Sequence, residues 1–371
     1  MKKKIVSVFG TRPEAIKMCP LVKGLEKDDE LESIVLVTAQ HREMLDQVLE
    51  VFDVKPDYDM NIMKKNQTLT QITSNILNGI EELLKEIKPD MILVHGDTST
   101  TFAGALAAFY NQIDVGHVEA GLRTFDKWSP FPEEMNRSLT GRIADLHFSP
   151  TESNKNNLLK EGISESRIFL TGNTVIDALK MVISPDYKFG DDFLDNVDFE
   201  NEKVITMTAH RRENLGEPMR NIFRAIKRLV EDHDIRVIYP IHLNPKVREI
   251  ANEIFGDMDK VHLIEPLDYV QFANLEDRSY MIMTDSGGLQ EEAPALGKPV
   301  LVLRKETERP EAIEAGTVKL AGIEEEIIYQ LASELITDPE AYRAMSNAVN
   351  PYGDGKAVEK TINAIKSYYK L

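Results

Sequence analysis

Along this chain, short apolar runs keep breaking off into polar, chemically capable clusters. The run at 5–9 gives way to Gly10-Thr11-Arg12-Pro13-Glu14, that at 91–94 to His95-Gly96-Asp97-Thr98, and that at 115–118 to Glu119-Ala120-Gly121-Leu122-Arg123. In the second half, 204–209 ends in His210-Arg211-Arg212-Glu213-Asn214, 237–241 in His242-Leu243-Asn244, and 280–284 in Asp285-Ser286-Gly287-Gly288. Apolar runs of this length suit strands buried on both faces, as a parallel sheet requires. The gaps between them are long enough for crossover helices. In open parallel sheets ligands bind in the crevice beyond the carboxyl ends of the strands. Polar clusters at that end in both halves point to one cleft shared by two sheets.

The pattern predicts strands near 4–9, 33–38, 90–95, 114–118, 145–149 and 167–170, with helices near 13–27, 41–52, 67–87, 98–111, 132–143 and 152–161. A helix at 173–183 is stopped by Ser184-Pro185-Asp186, and an acidic stretch poor in pattern runs on to Glu202 like a linker or domain edge. A fresh series starts at Lys203, with strands near 203–209, 235–240, 260–264, 280–284, 299–303 and 317–320. Helices near 323–336, 338–349 and 355–370 close the chain, and the break at Pro351-Tyr352-Gly353-Asp354-Gly355 lets the last one cross back onto the first domain. At 371 residues the chain exceeds one ordinary core. The expected fold is α/β, with two Rossmann-like domains facing a cleft: residues 1–172 joined by the terminal helix 355–371, and residues 173–354.

Composition narrows the class of ligand. Acids outnumber bases 62 to 44, for a formal net charge of -18, which argues against a nucleic-acid or anionic-membrane partner. A phosphate-bearing ligand must be met by a few locally focused cations. The single cysteine, Cys19, excludes disulfides within the chain and multi-cysteine metal sites. No apolar stretch approaches the ~18 residues of a membrane span, and the 5–8 run after Lys2-Lys3-Lys4 is too short for a signal sequence. A cytoplasmic enzyme is the expectation.

The clusters differ in how much chemistry they carry. At Asp285-Ser286-Gly287-Gly288 two glycines allow backbone to approach a ligand closely, the helix start favours an anion, and Glu292 one turn on is placed for a diol such as a ribose. The bland alternative is a turn with Asp or Ser as N-cap. The spacing is neither a Walker A loop nor a G-x-G-x-x-G fingerprint, so ATP and NAD lack their usual signals. Arg12, before Pro13 at a helix mouth, can clamp phosphate with its planar guanidinium, or simply be solvated. Asp97, Glu119, Glu133 and Glu134 form an acidic constellation suited to general acid/base work. Asp97 also suits an N-cap, and the acids after Pro132 suit a helix start, whereas Glu119 has no local structural use. His210 and His242 end strands, and Arg211 and Arg212 would favour a neutral His210 imidazole or neutralise a diphosphate. No H-E-x-x-H or P-C-x-x-C spacing supports a metal site.

Taken in order, these motifs resemble the non-hydrolysing UDP-N-acetylglucosamine 2-epimerases. The resemblance runs from residue 5 to about 315. It also includes Lys17, His117–Arg123, Pro132–Arg137, Thr171–Val175, Pro240–Pro245 and Glu306–Glu311. It implies a glycosyltransferase-B-like fold, conversion of UDP-GlcNAc to UDP-ManNAc without metal or nicotinamide, and a homodimer. By motif position, Asp97, Glu119, Glu133 and His210 match the family's catalytic set. Arg12, His242, Ser286, Gly287, Gly288 and Glu292 match its UDP contacts, Phe272 neighbours the uracil, and Lys17 and Arg309 lie in or beside the site. Some members also bind a second UDP-GlcNAc as activator. Here Gln40 matches that subsite, Glu43 stands where those members carry glutamine, and Asn66 falls at their arginine, so Gln40 and Glu43 are candidate allosteric positions on an incomplete match. A glycosyltransferase, a hydrolysing epimerase and a non-catalytic UDP-sugar binder are the competing readings; the carboxylates together with His210 speak against the last.

Overall fold

The computed structural model describes residues 2–39, 42–62, 66–256 and 258–371, and divides into two compact units, Met1–Met181 with Tyr352–Leu371, and Val182–Pro351. The first unit carries strands β1 (Lys3–Phe9), β2 (Leu31–Val37), β3 (Tyr58–Asp59), β4 (Met91–His95), β5 (Asp114–Val118), β6 (Leu146–Ser149) and β7 (Ile168–Leu170). Between and after them lie α1 (Arg12–Glu26), α2 (Arg42–Val51), α3 (Leu69–Ile87), α4 (Ser99–Tyr110), α5 (Glu133–Ile143), α6 (Glu152–Lys160) and α7 (Thr174–Val182). The strands pair in parallel in the order β3-β2-β1-β4-β5-β6-β7. Their central members are fully buried, Ile92, Leu93 and Val94 among them, because helices cover both faces.

The order reverses between β1 and β4, which is where an open sheet of this kind presents its crevice. Glu14, buried in the first turn of α1, ties the two arms of that reversal together. Its carboxylate accepts the N–H groups of Gly10 (3.0 Å) and Thr11 (2.8 Å) and the hydroxyl of Thr98 (2.6 Å). Thr11 caps α1 in return, completing a capping box. A Cβ at Gly10 would collide with the hydroxyl of Thr38, so this turn admits glycine alone.

The second unit carries β8 (Lys203–Thr208), β9 (Ile235–Pro240), β10 (Val261–Ile264), β11 (Met281–Thr284), β12 (Val300–Val302) and β13 (Val318–Leu320), parallel in the order β10-β9-β8-β11-β12-β13. Its helices are α8 (Glu217–Asp232), α9 (Pro245–Phe255), α10 (Tyr269–Arg278), α11 (Leu289–Ala295), α12 (Pro310–Glu314), α13 (Glu325–Thr337) and α14 (Pro339–Ser346). The final helix, α15 (Ala357–Tyr369), packs on α1 in the first unit.

The units part about ten residues later than the sequence pattern suggested. Helix α7 stays with the first unit because Asp177 accepts the first N–H groups of α15, from Ala357 and Val358 (both 3.1 Å), and because Asn173 N–H donates to the Tyr352 carbonyl (2.7 Å). The acidic stretch before β8 is also more than a linker. Phe189 and Leu194 bury themselves against Val204, Ile238 and Leu275 of the second unit. Among the described residues no helix is long and apolar enough to cross a membrane.

Candidate active site

In the first unit, chemistry gathers past the ends of β4 and β5. Glu119 directly follows β5 in the left-handed region (φ 61°), a conformation costly for a residue with a Cβ and often kept for function. Lys17 of α1 forms an ion pair with its carboxylate. The same oxygen accepts from the Asn173 amide (3.0 Å) and lies 3.7 Å from Nε2 of His95.

Asp97 follows β4 but does not cap the next helix; Thr98 does, through the N–H of Thr101 (3.2 Å). The Asp97 carboxylate instead lies 3.3 Å from Nη1 of the buried Arg137, and its backbone carbonyl accepts from Asn136 (2.9 Å). Burial drives the Asp97 pKa up to about 6; repulsion from Glu119 and Glu133 adds to this, while Arg137 and Lys17 oppose it. Glu133, at the start of α5, keeps one carboxylate oxygen buried and without a hydrogen-bond partner.

Glu134, grouped with these acids from the sequence, belongs to the scaffold. It accepts the N–H groups of Thr124 (3.1 Å) and Phe125 (2.9 Å) and binds the Arg137 guanidinium (2.7 Å to Nε). Burial pushes its pKa up, but these bonds outweigh it and hold the carboxyl below the usual range. Arg137 therefore joins a structural carboxylate to a candidate catalytic one. Behind them, burial lowers the pKa of His95 to about 4, His117 to about 3 and His147 to about 4, so all three are neutral. The His117 ring lies 2.7 Å from the Gly96 carbonyl and steadies the turn that carries Asp97. Arg12, half-buried in the first turn of α1, makes no ion pair with a described residue.

The second unit repeats the logic where its strand order reverses, between β8 and β11. Asp285, fully buried, is neither an N-cap nor a surface ligand. Its carboxylate accepts the N–H groups of His210 and Arg211 (both 2.7 Å) and lies 3.5 Å from Nδ1 of His210. The His210 and His242 rings stack, with centroids 5.2 Å apart and planes inclined by 10°. Burial lowers the His210 pKa; Asp285 pulls it back, and His242 and Arg211 push it down further. A cavity of about 640 Å³ opens here, lined by His210, Arg211, Arg212, Glu213, His242, Asn244 and Pro245.

Ser286, Gly287 and Gly288 follow β11, and Gly288 begins α11 without a side-chain cap. The Ser286 N–H is taken by the Thr284 hydroxyl (2.9 Å). Gly287 needs neither positive φ nor space: a Cβ there would meet no atom within 4 Å. Glu292 folds back so that its Oε1 lies 3.3 Å from the Cβ position of Gly288. Phe272 sits half-buried on α10, and Arg309 forms an ion pair with the buried Glu291. Of the allosteric candidates, Gln40 and the side chain of Glu43 lie outside the described residues. Arg137, Asn173 and His95 were absent from the sequence-based set of site residues. Arg137 carried one local signal, its position a helical turn after Glu133 and Glu134. Among the described residues no group of three or more His, Cys, Asp or Glu side chains is arranged to hold a metal ion.

Two parallel sheets, each with polar residues gathered where its strand order reverses, make this an α/β protein of two Rossmann-like units, the glycosyltransferase-B-like class. Residues 23–366 match the family model described as UDP-N-acetylglucosamine 2-epimerase, and the chain belongs to that family. A UDP-N-acetylglucosamine 2-epimerase of Bacillus subtilis (strain 168) is 62% identical over 371 residues, covering 100% of this chain and 97% of the relative. The solved structure of a Listeria monocytogenes relative, provisionally given the same name, superposes with a TM-score of 0.95 at 55% identity, covering 100% of this chain and 97% of that one. The Neisseria meningitidis UDP-GlcNAc 2-epimerase, solved with UDP-GlcNAc bound, gives a TM-score of 0.86 at 50% identity, covering 98% and 100%.

Proposed function

We propose that this enzyme interconverts UDP-N-acetylglucosamine and UDP-N-acetylmannosamine without net hydrolysis, releasing UDP and adding it back. The C2 hydrogen of the sugar is not next to a carbonyl, so direct removal is very hard. When the C1–O bond breaks, its electron pair leaves with UDP, and the oxocarbenium-like centre left behind makes that hydrogen far more acidic. A carboxylate then takes the proton, leaving a bound 2-acetamidoglucal with a C1–C2 double bond. Protonation from the other face and return of UDP give the 2-epimer.

The observation that carries this reading is the pairing of Asp97 and Glu119. One carboxylate is charge-compensated by Lys17, and the other holds its proton up to about pH 6. Two carboxyls with such different surroundings are suited to opposite halves of a proton exchange. Asp97, Glu119 and Glu133 therefore work on the sugar, and His210 completes the catalytic set. In the second unit His242, Ser286, Gly287 and Gly288 receive the diphosphate, with Arg12 as a further cation; Phe272 meets the uracil, Glu292 the ribose, and Arg309 stays beside the site through Glu291. The glycine at 287 supports this, since the fold does not require it and close approach of a phosphate does. Fixed donors and cations stabilise the departing diphosphate. The same family membership supports a cytoplasmic setting.

The test is a proton NMR time course with UDP-GlcNAc in deuterated water. Deuterium should enter C2 of both UDP-sugars, while free UDP does not accumulate stoichiometrically. Epimer appearing with protium retained at C2 would sink the mechanism.

A further inference from the structure

The side-chain amide of Asn173 faces two ways. Asn173 is buried and immediately precedes α7. Its Oδ1 accepts the N–H of Val175 (3.1 Å), the ordinary work of an asparagine at a helix start. Its Nδ2 turns away from the helix and donates to Oε2 of Glu119 (3.0 Å). The backbone N–H of Asn173 donates to the Tyr352 carbonyl (2.7 Å), so the main chain is pinned as well. A backbone N–H can only donate, so the amide oxygen must face Val175, which leaves the amide nitrogen for Glu119. Serine or aspartate would cap α7 equally well. Neither offers a donor to Glu119 once it does so.

Glu119 is a side chain that needs orienting. It leaves β5 in the left-handed region (φ 61°). Lys17 of α1 and Asn173 converge on its Oε2, and Nε2 of His95 lies 3.7 Å from the same oxygen. The other oxygen, Oε1, lies 3.7 Å from the Cβ position of Gly96, beside Asp97 in the chain. An ammonium on a flexible stem compensates a carboxylate without setting its direction. A planar amide held at its other end does set it. A donor also favours the ionised form of its acceptor, and a base must be ionised to take a proton.

We propose that Asn173 is a positioning residue for the reaction: its amide, anchored on α7, keeps Glu119 ionised and turns Oε1 towards the Gly96–Asp97 turn. The inference rests on the reading that Glu119 exchanges the C2 proton, and the test separates the two.

Turnover of UDP-GlcNAc by the full chain, followed across a pH series, reads this role. In Asn173→Ser the hydroxyl still caps α7, but no donor reaches Glu119. Its kcat at the pH optimum should fall about tenfold and the acid limb should move up by about one pH unit, the value of one hydrogen bond to a charged group. The sign follows from losing a donor, which raises the Glu119 pKa and leaves the base protonated to higher pH. Asn173→Asp also keeps the cap but sets a carboxyl against Glu119; the two then share a proton, and the limb should move up further. Lys17, His95 and Asp97 also face Glu119 and are unaltered in both variants, so a shift belongs to position 173. A merely structural Asn173 would leave both variants with native kcat and a native acid limb. A fall in kcat with the limb in place would mark a packing effect, and either result overturns the inference. If Glu119→Gln keeps native turnover, the reading of Glu119 itself has failed. If Glu119→Gln loses about 10²–10⁴ in turnover while Asn173→Ser stays native, only the positioning role has failed.

Discussion

Replacing Asp97 with asparagine separates what this side chain costs the fold from what it contributes to the reaction. In the folded chain the Asp97 carboxyl ionises at about 6 rather than 3.8, chiefly because it is buried. Between those values the folded state binds more protons than the unfolded one, so stability falls as pH rises through the window and the deficit is complete above it. The ionised form is penalised by about 3 kcal/mol at pH 8, shrinking to about 0.5 kcal/mol at pH 4. Asparagine has the shape and neutrality of the protonated acid. Arg137 is not stranded by the change, since Glu134 stays 2.5 Å from its Nη2. Asp97→Asn should therefore gain up to about 3 kcal/mol at pH 8 and almost nothing at pH 4, while turnover drops by about 10²–10⁴. Urea denaturation followed by circular dichroism at both pH values, native against variant, reads the difference directly. A variant no more stable than the native chain at pH 8, or a gain that persists at pH 4, would refute the burial argument. Full turnover would remove Asp97 from the chemistry.

Arg137→Met should destabilise the first unit by about 3–5 kcal/mol in the same assay, because Glu134 stays buried without its cation; a loss below 1 kcal/mol would show the pair to be ornamental. His95, His117 and His147 have folded pKa values below the ordinary 6.5, so the unfolded chain takes up protons first as pH falls. Stability contributed by their neutral forms is therefore present above 6.5 and lost towards pH 4, and His147→Leu should flatten that loss in a pH series of thermal midpoints. Glu119→Gln should lower turnover by about 10²–10⁴ while UDP affinity, measured calorimetrically, changes by less than about threefold; a parallel collapse in UDP affinity would place Glu119 in nucleotide binding instead.

Much of the fold is visible in the sequence because both sheets are parallel and buried, so each strand is an apolar run with a polar end. The strand Tyr58–Asp59 is not visible, being two residues at a sheet edge. Nor is the attachment of α7, which depends on Asp177 meeting N–H groups 180 and 181 residues further along. Within the site, Asp97 and Glu119 stand out as acids just past strand ends, whereas Lys17, inside α1, is marked only by the family motif; in the structure it pairs with Glu119. Glu133 and Glu134 look interchangeable in the sequence, yet the rotation of about 100° between consecutive residues of α5 directs Glu134 into a scaffold and leaves Glu133 near Asp97. The same ambiguity recurs at both reversal points. Glu14 in one sheet and Asp285 in the other are buried carboxylates that accept backbone N–H groups from the loop after a central strand. Each fixes a turn whose half-buried neighbours are the candidate site residues, Arg12 and Asp97 in the first unit, His210 in the second. A motif at such a point mixes carboxylates that build the turn with carboxylates and imidazoles that work from it. Composition and spacing treat them alike; what separates them is whether the charge is already satisfied by the backbone.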